Sequence, residues 1–264
     1  MHVQTLASGS QGNATLVRAG ELHLLVDAGL PITELEDRLE AARVSPRRID
    51  AIAITHGHLD HSRSAGSLAR KSGARVVCAE SLMRQRSVKR ARRLARLPID
   101  GELDLSVTGG AELDEVLTLA AVRIPHDADP TVALRVTHRE RRLVVVTDMG
   151  RVSRPVAERL RDPHVLVLEF NHDLALLQRG PYAEKLKQRV AGPQGHLSND
   201  EAAEMLALLA GPALHTLVLA HLSATNNTPE LALEAARRTL AALGREDVRV
   251  LVAAQDTVGP NLSV

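Results

Sequence analysis

Residues 50–61 read DAIAITHGHLDH, an apolar run followed at once by His56, His58, Asp60 and His61. Four metal-ligating side chains within six residues belong on a tight loop at the end of a buried strand, because solvated imidazoles and a carboxylate gain nothing from being crowded by packing alone. On such a loop His56 and His58 can face one point while Asp60 and His61 face a second, which suits two adjacent divalent ions better than one. Whatever the chain folds into must therefore bring a strand to its end at this place.

The rest of the chain supplies the context for that strand. Short β-branched or Leu-rich runs alternate with polar turns and segments of helical spacing, which predicts layered α/β structure. Strands are expected at 22–26, 49–54, 75–79, 132–136, 143–146, 165–168, 217–220 and 248–253. Ser198 and Glu201 match a capping box ahead of an apolar-periodic stretch that ends near Gly211. Thr228 and Pro229 open a second helix that Gly244 closes, and residues 181–192 form a shorter one. Residues 101–124 alternate, with turn signals, as antiparallel strands do, so mixed sheets are expected rather than purely parallel ones. Neither an internal repeat nor a low-complexity linker divides the chain, and residues 1–264 are expected to form one domain.

Composition excludes several classes. With 44% apolar and 25% charged residues the chain can bury a core, so disorder is excluded, and with 1% aromatics that core must be filled by Leu, Val, Ile and Ala. The longest apolar run, residues 205–210, falls far short of the roughly 20 residues a membrane-spanning helix needs, so no membrane partner is expected. The first residues lack a basic stretch followed by an apolar segment, and the single cysteine, Cys78, cannot form an internal disulfide; a cytoplasmic location is the expectation. A net charge of +1 says nothing of a polyanionic partner, but residues 84–96 carry seven positive charges and no acid. That run reads either as a solvated helix face or as a phosphate-binding surface.

THGHLDH is similar to the His-x-His-x-Asp-His signature of the metallo-β-lactamase fold hydrolases. The resemblance implies an α/β fold, a four-layer αββα sandwich of that type with mixed sheets. It also implies ligands from later segments, which the sequence offers as His126 in IPHDAD, Asp148 in VVVTDMG and His221 in VLAHLS. One ion would be held by His56, His58 and His126, a second by Asp60, His61 and His221, with Asp148 bridging the two. Asp27 in LLVDAG resembles the family's early aspartate, which braces the His loop; it also reads as a turn-forming residue before Gly29. Imidazoles and carboxylates without a thiolate suit two divalent ions, Zn or Mn. Such a pair lowers the pKa of a shared water and offsets charge building on the attacked group.

Three further segments bear on the substrate. Residues 6–17 form a Ser and Gly-rich loop between apolar runs, able to offer N–H groups to an anion or simply to turn the chain. LEFNHD places Glu169, Asn171, His172 and Asp173 at a strand end, and GPQGHLSND places His196 ahead of a helix. Together these resemble the WalJ/YycJ branch of the superfamily, linked with DNA exonuclease activity. The implied function is a dinuclear metal-dependent phosphodiesterase that uses a metal-activated hydroxide on the DNA phosphate backbone, as a 5′-to-3′ exonuclease. Asp60, His196 and Glu169 are the implied catalytic residues, with His196 protonating the leaving oxygen and Glu169 orienting it; alternatively His196 and Ser198 only shape the helix entry. Ser10, Asn13, Asn171, Arg90, Arg92 and Arg93 are the expected substrate contacts. Phe170 and Tyr182 are the only non-His aromatics, too few for a base-stacking platform. The competing reading is a hydrolase of a small phosphodiester or ester with the same metals, in which the Arg-rich helix is merely solvated.

Overall fold

The computed structural model describes residues 1–106 and 116–264. Side chains alternate across a strand, so a strand that is apolar at every position must bury both faces. The strands of the first sheet are β1 (His2–Ala7), β2 (Ala14–Ala19), β3 (Leu22–Val26), β4 (Ala51–Ala53), β5 (Arg75–Cys78) and β6 (Arg93–Arg96). The second sheet holds β7 (Glu102–Ser106), β8 (Val116–Ile124), β9 (Thr131–His138), β10 (Arg141–Val146), β11 (Val165–Glu169), β12 (Thr216–Ala220) and β13 (Arg249–Val252), and β14 (Leu262–Ser263) returns to the first. The orders are β14-β1-β2-β3-β4-β5-β6 and β13-β12-β11-β10-β9-β8-β7. Both sheets are mixed: β3 to β6 and β10 to β13 run parallel, and the remaining pairs are antiparallel.

Alternate residues of the central strands enter different cores. Leu24 and Val26, Ala51 and Ala53, Leu143 and Val145, Val165 and Val167, and Val218 and Ala220 meet between the two sheets. Leu25, Ile52 and Val76 face outward, under α1 (Ile32–Ala41) and α3 (Ala65–Ser72), through Leu35, Leu39, Leu68 and Ala69. On the other side Val144, Val146, Leu166, Leu168, Leu217 and Leu219 pack under α4 (Arg154–Leu160), α7 (Asn199–Leu209) and α8 (Pro229–Ala242). Two sheets face to face with helices on both outer faces make the four-layer αββα sandwich. Each fully buried Leu or Val contributes about 1.5–3 kcal/mol over exposure, which commits the strands to this register. Three short helices, α2 (Leu59–Ser62), α5 (Leu174–Arg179) and α6 (Glu184–Val190), lie in connections. Among the described residues, no helix is long and apolar enough to cross a membrane.

The expected caps form. The Ser198 hydroxyl accepts the Glu201 N–H while the Glu201 carboxylate accepts the Ser198 N–H, and Thr228 caps α8. Residues 102–106 and 116–124 pair antiparallel as expected; the turn expected between them falls on 107–115, outside the described residues.

The basic run at 84–96 differs from expectation, since it forms no helix. A 3-10 turn (Glu80–Arg84) leads into further turns and then β6, which pairs parallel with β5. In a helix Arg86 and Arg90, Lys89 and Arg93, and Arg92 and Arg96 would each oppose like charges four residues apart, whereas strand pairing lets them diverge. Val88 is the buried anchor of the turns. The expected trio of arginines is thereby split. Arg90 lies over α3 beside Gly66, while Arg93 opens β6 opposite Arg75. There it lines a cavity of about 240 Å³ with Arg47, Arg75 and Asp50, at the end of the sheet opposite the His loop.

Candidate metal centre

The parallel strands of both sheets carry the candidate ligands on loops beyond their C-terminal ends. His56 and His58 follow β4, Asp60 and His61 lie in α2, and Asp148, Glu169 and His221 follow or end β10, β11 and β12. His126 follows β8. Asp27, Asp148 and His221 have φ of 61°, 59° and 56°. Left-handed backbone at non-glycine residues costs about 1–3 kcal/mol each and persists where a site demands it.

The loop after β3 sets the floor. A Cβ on Gly29 would stand 1.6 Å from the Asp60 carbonyl oxygen, so only glycine lets this loop lie under α2. Asp27 Oδ1 accepts the Thr55 N–H at 2.9 Å, and its Oδ2 lies 2.7 Å from His61 Nδ1, fixing the ring with Nε2 inward. The bracing role expected of Asp27 rests on these contacts, and Thr55, the first residue of THGHLDH, to which the motif assigns no role, belongs to the same brace. Asp27→Asn keeps the shape but removes the carboxylate behind His61; it is expected to weaken metal affinity about 10–100-fold with the fold retained, as measured by competition with a colorimetric chelator.

Four groups of donor atoms each lie within 4.8 Å of one another: His56, His58 and His126; Asp60, His61 and His221; His56, His61 and Asp148; and Asp148, Glu169, His196 and His221. Asp148 sits among them, with Oδ1 3.7 Å from His126 Nε2 and 3.6 Å from His221 Nε2, and Oδ2 3.0 Å from His61 Nε2. Asp60 Oδ2 is 3.6 Å from His61 Nε2 and 3.7 Å from His221 Nε2. His56 Nε2, His221 Nε2 and Asp148 Oδ2 are buried and make no hydrogen bond; the Asp148–His61 approach is close but poorly directed. Buried polar atoms left without partners cost roughly 1–3 kcal/mol each, and here they converge. The donor set therefore fits divalent metal ions.

Electrostatics agree. Burial, and then the His61 ring, push His56 well below the usual imidazole range, which is the neutral, ligating form. Burial also works against the charged form of His61, but the Asp148 and Asp27 carboxylates prevail and hold it well above that range. Burial likewise opposes ionisation of Asp148 and Asp60, yet His221 and His61 prevail, holding Asp148 well below the carboxylate range and Asp60 at about 2. Two ionised carboxylates in a buried pocket call for positive charge, which the protein alone meets by protonating His61 and a cation meets directly.

Behind this cluster, Glu169 ties two loops together. Its Oε2 accepts the Asp148 N–H at 2.6 Å and its Oε1 the Leu197 N–H at 2.7 Å. Oε2 also lies 3.3 Å from His196 Nδ1. Burial lowers His196, but Glu169 first and then Asp148 and Asp127 outweigh it and raise the ring to about 9. His196 Nε2 has no protein partner among the described residues, and its side chain is 21% exposed.

The expected substrate contacts fare differently. Asn13 and Asn171 are committed to the scaffold: Asn13 Nδ2 donates to Gly9 O and stands 3.0 Å from His61 Nε2, and Asn171 Nδ2 donates to His221 O. Ser10 is exposed. The N–H groups of Ser8, Gly9, Gln11, Gly12 and Asn13 all go to protein acceptors, so residues 8–13 brace the site rather than cradle an anion. The buried Ser8 hydroxyl accepts the His221 N–H. Ser87, three residues before Arg90, bonds Ser62 of α2, and Arg90 itself packs beside Gly66.

Comparison with known proteins agrees with this geometry. A family model described as the metallo-beta-lactamase superfamily matches residues 7–221. The chain is 34% identical over 232 residues to a protein named exodeoxyribonuclease WalJ from Streptococcus pneumoniae, covering 86% of this chain and 83% of that protein. It is 32% identical over 232 residues to one named exodeoxyribonuclease YycJ from Bacillus anthracis, covering 88% and 86%. Among solved structures, the metallo-beta-lactamase fold protein YhfI from Bacillus subtilis superposes with a TM-score of 0.70 at 17% identity, covering 99% of both chains. Human tRNase Z, short form, does so at 0.64 and 16% identity, over 98% of this chain and 99% of that one. At such identities the likeness is one of fold.

Proposed function

We propose, from the fact that this chain belongs to the metallo-beta-lactamase superfamily and is a metal-dependent hydrolase, that it is a DNA exonuclease working in the 5′-to-3′ direction. The observation that carries the reading is the convergence of His56, His221 and Asp148 atoms, buried and without hydrogen bonds, in a chain a third identical to two exodeoxyribonucleases. We assign one divalent ion to His56, His58 and His126 and a second to Asp60, His61 and His221, shared through Asp148, with zinc or manganese as the metal. When bound, such ions supply Lewis acidity, lowering the pKa of water and offsetting charge on the attacked phosphate.

The chain's own residues supply the rest. Asp60 and Asp148 stay ionised and so would offset the positive charge of bound cations. His56, His61, His126 and His221 are buried at the strand ends, which holds these rings in place, while His58 is half-exposed. His196, protonated at neutral pH and held through Nδ1 by Glu169, offers Nε2–H to the leaving oxygen as a general acid. Glu169 acts as a positioning residue, since both its oxygens go to backbone N–H groups. We read residues 1–264 as one domain.

Dialysis against a chelator followed by manganese or zinc, with a 5′-labelled and a 3′-labelled duplex as substrates, tests the proposal. Labelled mononucleotide is expected early from the 5′-labelled strand only, and only after metal is restored. Rapid turnover of a small chromogenic diester beside untouched DNA would overturn the nuclease reading and leave a small-ester hydrolase.

A further inference from the structure

Asp127 and Arg189 join at the mouth of the centre. Arg189 Nε donates to Asp127 Oδ2 at 2.6 Å, while Asp127 Oδ1 lies 3.3 Å from His126 Nε2 and 3.6 Å from His58 Nε2. The guanidinium thus stands one carboxylate away from two imidazoles of the first cluster. Its side chain is 61% exposed, and Nη1 and Nη2 have no protein partner among the described residues.

An exposed ion pair by itself contributes about 0–1 kcal/mol, so stability does not explain this one. The element carrying it is, however, locked to the centre. Gly195 O lies 3.0 Å from His126 Nδ1, and the His196 N–H donates to Val190 O at 2.9 Å. A Cβ on Gly195 would stand 2.2 Å from the carbonyl oxygens of Arg189 and Val190, so glycine lets the end of α6 close against the loop bearing His196. Arg189 and His196 are therefore delivered together, His196 with its ring centroid 5.3 Å from that of His126 and Arg189 reaching His126 through Asp127. Because Asp127 takes Nε alone, the two-pronged face of the guanidinium is left free, and that face matches two oxygens of a phosphate.

We propose that Arg189, aimed by Asp127, binds a phosphate of the DNA strand at the mouth of the metal centre. This rests on the nuclease reading. The phosphate is either the 5′-terminal group or an internal diester, and Asp127 is a positioning residue.

The test compares Arg189→Gln, Arg189→Lys and Asp127→Asn with Arg48→Gln, which removes the same charge from an exposed ion pair with Glu21. Binding is read by fluorescence anisotropy in EDTA on 5′-phosphorylated and 5′-hydroxyl duplexes across a salt series. Steady-state kcat and KM are read with metal restored and metal content measured. Arg189→Gln is expected to raise Kd and KM about 10–100-fold with kcat within about threefold. It should also flatten the log Kd against log salt slope by about 0.9, the value of one phosphate contact. Arg189→Lys, keeping charge without the fork, should recover part of the loss, and Asp127→Asn should raise KM with its metal content intact. A loss confined to the 5′-phosphorylated duplex assigns the terminal phosphate; equal loss on both assigns an internal one. Arg189→Gln matching Arg48→Gln in Kd, KM and slope, or losing kcat at constant KM, would overturn the Arg189 assignment while the nuclease reading stood. Wild-type protein inactive on both duplexes would overturn the nuclease reading itself.

Discussion

Asp148→Asn protein is expected to lose DNA cleavage by about 10³-fold or more, close to 4 kcal/mol of transition-state stabilisation, while keeping its secondary structure. Asp148 belongs to two of the donor groups, one with His56 and His61 and the other with His196 and His221. Its two oxygens approach His61, His126 and His221 within 3.7 Å, and among the described residues no other carboxylate reaches as many of the rings. Asparagine fits the same volume and tolerates the left-handed backbone at φ 59°, so a folding defect is not expected. What changes is the negative charge that this carboxylate would offer to the two proposed cations. End-labelled duplex digestion, circular dichroism and metal analysis by mass spectrometry check this; cleavage within tenfold of wild type would remove Asp148 from the centre.

The second large effect concerns the leaving group. His196→Gln is expected to slow DNA cleavage about 10²–10⁴-fold, the range for loss of a positioned general acid. The loss should shrink to a few-fold on a p-nitrophenyl phosphodiester, whose departing phenolate needs no proton. Metal content should stay at the wild-type level, because His196 meets Glu169 through Nδ1 and belongs to neither proposed ligand trio. An equal loss on both substrates would mean that His196 does not protonate the leaving oxygen, and a fall in metal content would make it a ligand.

The parts of this molecule that were legible in its sequence are those where burial acts locally. The runs at 165–168 and 217–220 read as strands because every residue is apolar, and each proved to feed two cores by alternate positions. The helix starts at Ser198 and Thr228 carry their own hydrogen-bonding signature. β1 and β2 were not among the expected strands, since Gln4, Thr5 and Thr15 break the apolar run yet are buried by sheet pairing. The basic run misled because charge density says nothing of backbone geometry when like charges would stack on a helix. In the site, the candidate ligands announce themselves by residue type, and Asp27 by its place after a strand. Asp127 was visible only as the neighbour of His126, and Arg189, sixty-two positions further on, carries no local signal. Their meeting depends on how α6 docks, which topology decides.

The most direct measurement is digestion of a 5′-labelled duplex by chelator-treated protein before and after divalent metal is restored. Release of labelled mononucleotide only after restoration is the expected result. Equal digestion with chelator present, or an intact duplex in every lane from protein that has regained its metal, would contradict a metal-dependent exonuclease.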